Sequence, residues 1–117
     1  MLPTVLFLHG FFASGACIPA QALRESLHGV ADVLSPDLPL HPAEALRFIR
    51  QICLDRHPAV LVGNSAGSFL AQQVAAEFSL PAVLGNPYFL MTEFLEPRRG
   101  PQRYKAPRAN GRQEFVI

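Results

Sequence analysis

Cysteine is scarce in this 117-residue chain, with only Cys17 and Cys53 present. The two lie on separate predicted helical segments without C-x-x-C spacing, which suits reduced, buried thiols better than a disulfide framework. No His/Cys cluster has the spacing of a zinc site. Neither Lys nor Arg occurs before Arg24. The apolar N-terminus therefore lacks the charged region of a signal peptide, His9-Gly10 interrupts its apolar run, and Ser14-Gly15-Ala16-Cys17 lacks the basic flank of a lipoprotein cleavage site. No run approaches the roughly 20 apolar residues of a membrane span. Neither G-x-x-x-x-G-K-[ST] nor G-x-G-x-x-G occurs, which argues against a nucleotide-binding loop. There is no internal repeat. These absences predict a cytoplasmic protein with no metal and no membrane partner.

Half of the residues are hydrophobic, enough for a buried core in a chain of this length. Charge is uneven. Residues 1–96 carry four Arg against eight acids, whereas residues 97–117 carry five Arg and Lys105 against Glu114. That tail has two aromatics, Tyr104 and Phe115, and no dense basic block, so nucleic-acid binding is not expected of it. It reads as a basic, irregular, solvated segment, with Glu114-Phe115-Val116-Ile117 resembling the start of an element. Residues 1–96 read as the folded part.

Three successive units of strand, loop and helix predict a mostly parallel sheet with helices on both faces, a three-layer α/β/α architecture. Thr4–Leu8 is apolar throughout, as a doubly covered strand must be. A helix is expected from about Pro19 to Leu27, and a second strand over Val30–Leu34. The rigid loop Ser35-Pro36-Asp37-Leu38-Pro39-Leu40 follows. Pro42 suits the first position of a second helix, Glu44 its positively polarised first turn, and the helix ends near Arg56. Ala59–Val62 forms a third strand. The next helix is expected to bury Phe69, Leu70, Val74 and Phe78, and Ala82–Leu84 forms a fourth strand.

The chemistry centres on Gly63-Asn64-Ser65-Ala66-Gly67. This pentad leaves an apolar strand and opens a helix, as a serine nucleophile elbow does, and its flanking glycines suit positions too crowded for a side chain. A bland glycine-rich turn is the competing reading. Its weight falls because Leu6-Phe7-Leu8-His9-Gly10-Phe11 presents a second strand ending in the right kind of loop. An acyl-transfer site needs two backbone N–H donors for the tetrahedral oxyanion, one after the nucleophile and one after an earlier strand. Ala66 and Phe11 hold those positions. His9 comes directly off its strand and is expected to brace the oxyanion loop rather than act as the base.

With Leu8-His9-Gly10-Phe11, Pro36-Asp37-Leu38-Pro39, the Ser65 pentad and Ala82-Val83-Leu84-Gly85-Asn86-Pro87 in that order, the chain resembles the YqiA-type esterases of the α/β-hydrolase superfamily. The similarity covers about residues 3–95 and continues more weakly at Gly111-Arg112-Gln113-Glu114-Phe115-Val116. It implies a carboxylesterase of partial α/β-hydrolase fold acting on small esters, without a cofactor. Ser65 would be the nucleophile, Phe11 and Ala66 the oxyanion donors, and His9, Gly10, Gly63 and Gly67 the supporting residues. Phe12, Tyr88 and Phe89 are candidates for the acyl pocket.

The departure from the family is equally specific. No Asp and no His follow Ser65, so the order of serine, acid, histidine is incomplete and the chain reads as truncated. His41, after the proline-rich loop, is the nearest substitute for the base, but it is expected to cap the following helix or meet solvent. Two consequences are expected. A catalytically inactive hydrolase-fold fragment or protein-binding module stands as the alternative function, and the Ala82 strand should present an apolar sheet edge open to self-association.

Overall fold

Strand β1 (Thr4–Leu8) lies inside a sheet and sends alternate side chains to opposite faces, both covered by helices. The computed structural model describes residues 1–86, 93, 95–105 and 108–117. Along the chain follow α1 (Ile18–Ser26), β2 (Asp32–Leu34), α2 (Pro42–Arg56), β3 (Val60–Asn64), α3 (Ala66–Phe78) and β4 (Ala82–Gly85). Among the described residues these strands make a four-stranded, all-parallel sheet in the order β2-β1-β3-β4. Leu6, Leu8 and Leu61 face Ile49 and Cys53 of α2 and Ala71, Val74 and Ala75 of α3. On the other face Phe7, with Val33 and Val62, meets Cys17 and Ala20 at the start of α1. The three-layer α/β/α arrangement follows directly from that alternation. Each fully buried side chain such as Leu6 or Ile49 contributes about 1.5–3 kcal/mol by leaving water.

Local chemistry sets the boundaries. The His41 side chain caps α2 by accepting the Ala43 N–H at 3.2 Å, Pro42 opens the helix, and His57 closes it in the left-handed conformation. Pro58 then prevents continuation. The second strand begins at Asp32 rather than Val30. After α1 the chain turns through Gly29, whose φ is 79°, and Val30 and Ala31 donate to the Leu27 carbonyl. Val30 is consequently exposed. In α3 the small residues Ala71 and Ala75 are buried with Val74, while Phe69, Leu70 and Phe78 are only half-buried. Small side chains let this helix approach the sheet closely and push the large ones to its flanks.

The tail departs most from the sequence reading. Strands β5 (Pro101–Arg103) and β6 (Glu114–Val116) pair antiparallel, so the segment expected to be irregular and solvated holds a hairpin. Its inner side is aromatic. Phe115, only 2% exposed, stacks on Tyr104 with ring centres 4.5 Å apart and meets Phe11 edge-on at 5.5 Å. Such pairs each add about 0.5–1.5 kcal/mol beyond their area. Contact with Phe11 and Phe12, far away in sequence, gives this short ribbon a core.

Candidate active site

Ser65 follows β3 directly, between the carboxyl ends of β1 and β4. Its backbone takes φ 56° and ψ −119° between β3 and α3, a region costing about 1–3 kcal/mol for a residue with a side chain. The neighbouring chain holds it there. Ser65 N–H donates to the Gly85 carbonyl at 2.8 Å, and Ser68 N–H donates to the Ser65 carbonyl at 2.9 Å. The Ser68 hydroxyl lies 3.0 Å from the carbonyl oxygens of both Gly63 and Gly85, and serves one or the other. A Cβ on Gly63 would fall 2.5 Å from the Gly67 oxygen, and one on Gly67 would fall 2.0 Å from the Leu8 oxygen. Both glycines are therefore demanded by backbone packing.

Gly10 faces the serine across the site. A Cβ placed there would lie 3.4 Å from Ser65 Cβ and 3.9 Å from Oγ, which is ordinary contact. The loop it belongs to is pinned by His9. Leu38 N–H donates to Nε2 of the buried imidazole at 2.9 Å, so Nδ1 carries the ring proton and donates to the Gly10 carbonyl at 2.7 Å. Burial pushes the His9 pKa below its ordinary value, opposed by the Gly10 hydrogen bond and reinforced by the Arg108 charge. A neutral imidazole joins the loop after β1 to the loop after β2. Asp37 continues that frame by accepting Gly15 N–H and Ala109 N–H, each at 2.7 Å. Partial burial alone would raise its pKa, but those two hydrogen bonds, with the nearby Arg108 and His9, hold it below the ordinary value.

Two cavities flank this wall and share Gly10 and Phe11. The smaller, about 280 Å³, is bordered by Ser65, Asn64, Phe12, Cys17 and Lys105. The larger, about 560 Å³, is mainly apolar and is bordered by Ala66, Leu38, His41, Phe69 and Arg108 among others. Phe12 borders the same cavity as Ser65, whereas Tyr88 and Phe89 fall outside the described residues. Lys105 and Arg108 were hidden from the sequence reading within an apparently solvated tail. One available signal was Asn110-Gly111, a strong turn dipeptide. The turn is present, with Gly111 N–H donating to the Arg108 carbonyl at 2.8 Å.

The Ser65 hydroxyl makes no hydrogen bond to a described residue. Both nitrogens of His9 are engaged, His41 caps α2, and His28 and His57 sit on connections at the opposite end of the sheet. Among the described residues no group of three or more His, Cys, Asp or Glu side chains is placed to hold a metal ion. Nor is any described helix long and apolar enough to cross a membrane.

A strained serine between a parallel strand and a helix, at the carboxyl edge of a doubly covered sheet, defines an α/β-hydrolase architecture. The sequence pattern of the alpha/beta hydrolase family matches residues 5–116, and the chain belongs to that family.

Proposed function

We propose that this chain is an esterase-type serine hydrolase of the YqiA kind, acting on small esters through a Ser65 acyl-enzyme. The observation that carries the reading is the Ser65 backbone at φ 56°, ψ −119°, directly before the first turn of α3 and facing Gly10. In the reaction Ser65 Oγ attacks the ester carbonyl, and the new oxyanion accepts the N–H groups of Phe11 and Ala66. The alcohol leaves and water then hydrolyses the acyl-enzyme. Loss of one oxyanion donor typically lowers the rate roughly a hundred- to a thousandfold.

The attack also needs a base for the serine proton, and none of the four histidines hydrogen-bonds Ser65. That observation favours a second reading, a hydrolase-fold module that binds without turnover. A fluorophosphonate probe separates the two. Labelling confined to Ser65 and lost in Ser65→Ala is the expected outcome. A folded sample whose Ser65 stays unlabelled supports the binding module instead.

A further inference from the structure

The hairpin brings two cations to the proposed site from the segment between β5 and β6. Lys105, the chain's single lysine, borders the cavity at Ser65, and Arg108 borders the larger cavity at Ala66. Among the described residues no acidic side chain lines either cavity. Lys105 is exposed, whereas Arg108 is partly buried.

Two contacts hold the Arg108 guanidinium, and a third supports one of them. Nη1–H donates to the Leu38 carbonyl, the guanidinium carbon stands 4.5 Å from the centre of the Tyr104 ring, and Tyr104 is itself stacked on buried Phe115. Among the described residues it has no carboxylate partner. Asp37 is near enough to feel its charge, but both of that residue's oxygens accept backbone N–H groups from Gly15 and Ala109. Arg108 Nε is sealed from solvent without a hydrogen-bond partner in the described structure. The result is a positioned guanidinium, without a salt-bridge partner among the described residues, beside an apolar cavity that also reaches Phe11 and Ala66. A guanidinium held in this way is preorganised for an anionic oxygen group.

We propose that Arg108 determines specificity by receiving a free carboxylate on the substrate arm that fills the larger cavity. The preferred substrates are then half-esters of dicarboxylic acids. The inference rests on Ser65 being the nucleophile. A singly charged carboxylate matches one fixed guanidinium, whereas a doubly charged phosphate would leave a charge unmatched in apolar surroundings. Arg108 is separated from the reacting serine by the wall of Gly10 and Phe11, so its contribution is to binding and not to proton transfer.

The test compares three alkyl fluorophosphonates of equal chain length, ending in a carboxylate, its methyl ester or an ammonium group. Each phosphonylates Ser65 with loss of fluoride. The quantity read is the ratio of labelling rates within one protein sample. Wild type is expected to favour the carboxylate over the ester by roughly ten- to a hundredfold, as a hydrogen bond to a charged group does, and to react slowest with the ammonium probe. The preference should shrink below about pH 4, where the probe's own carboxyl protonates. In Arg108→Gln, checked for folding by circular dichroism, the ratio should approach one. Arg108→Lys keeps the charge without the fork and should fall between the two. A ratio near one in wild type, or one surviving in a folded Arg108→Gln, overturns the proposal. If no probe labels Ser65, the serine reading fails separately, and NMR titration with the monoanilide of glutaric acid decides the carboxylate site. Binding about tenfold weaker in Arg108→Gln, and equally weakened for the methyl ester, upholds it, while equal affinities overturn it.

Discussion

His9 accepts the Leu38 backbone N–H at 2.9 Å through Nε2, which fixes the imidazole as neutral and joins two loops beneath the proposed oxyanion site. Burial lowers the His9 pKa from the ordinary 6.5. Above pH 6.5 neither the folded nor the unfolded chain protonates this ring, and its full contribution to stability is present. Below 6.5 the unfolded chain binds a proton that the native state refuses, so stability falls with pH until the folded pKa is passed. Wild type should lose up to about 1.4 kcal/mol per pH unit from this group in that window. Thermal or urea unfolding between pH 5 and pH 7 measures it, with His9→Gln as the control. If the slope is unchanged in His9→Gln, another group is responsible.

The glycines around Ser65 divide into two kinds, and substitution by alanine separates them. At Gly67 the new Cβ would stand 2.0 Å from the Leu8 oxygen and 2.7 Å from the His9 oxygen. Helix and strand would have to part, so Gly67→Ala should cost about 3 kcal/mol or more, at or beyond the usual range for overpacking. At Gly10 the nearest atom would be Ser65 Cβ at 3.4 Å. Gly10→Ala is therefore expected to keep the fold within about 1 kcal/mol while slowing Ser65 phosphonylation roughly ten- to a hundredfold by crowding the attack path. Urea melts and probe kinetics on the two variants test the division. Equal destabilisation would refute it.

Strain at Ser65 yields the next prediction. Glycine tolerates φ 56° and ψ −119° where serine and alanine are forced. Ser65→Gly should relieve about 1–3 kcal/mol of backbone strain, less about 0.5–1 kcal/mol for the flexibility glycine adds to the unfolded chain. A net gain of about 1 kcal/mol, absent in Ser65→Ala, is expected in denaturant titrations. A Ser65→Gly protein no more stable than Ser65→Ala would show that the elbow is not strained.

Most of the sheet was legible because its signals are local. Thr4–Leu8 coincides with β1 and Pro42–Arg56 with α2, since an unbroken apolar run and a proline-opened helix declare themselves within a few residues. The pentad declared the elbow for the same reason, through glycines whose crowding comes partly from the motif itself. The hairpin did not. Its strands are three residues each, and the burial of Phe115 depends on Phe11 and Phe12 a hundred positions away. Asp37 lay within a recognised loop, but its partners are 22 and 72 residues distant. Arg108 acquired its place only through that long-range folding, so its charge looked like part of a solvated tail.

Strand β4 ends the described sheet, with Val83 58% exposed along its edge. We propose that this edge mediates self-association, because unpaired strand N–H and C=O groups beside an apolar side chain template another strand. Sedimentation velocity over a wide concentration range should show a growing population larger than the monomer. Val83→Lys should suppress it, since an edge lysine opposes strand pairing. A single sharp monomer boundary at high concentration would count against the edge as an interface.

Phe115 links the tail to the site through Phe11, whose N–H is one proposed oxyanion donor. The ring is buried against Tyr104, Phe11 and Phe12, and beside it Lys105 N–H donates to the Phe12 carbonyl at 2.7 Å. Truncating such a ring typically costs 3–5 kcal/mol. In Phe115→Ala that loss should concentrate in the hairpin, because the α2/α3 side of the sheet, from Leu6 to Val74, has its own core. Hydrogen exchange should therefore quicken by orders of magnitude at Tyr104, Lys105 and Ala109 amides while β1 and β3 amides change little. Leu8→Ala on the opposite face should do the reverse and accelerate the sheet first. If Phe115→Ala instead loosened β1 and β3 as much as the hairpin, the tail would belong to the same cooperative unit as the sheet. The Phe11 loop would then owe its position to the whole fold and not to this aromatic contact.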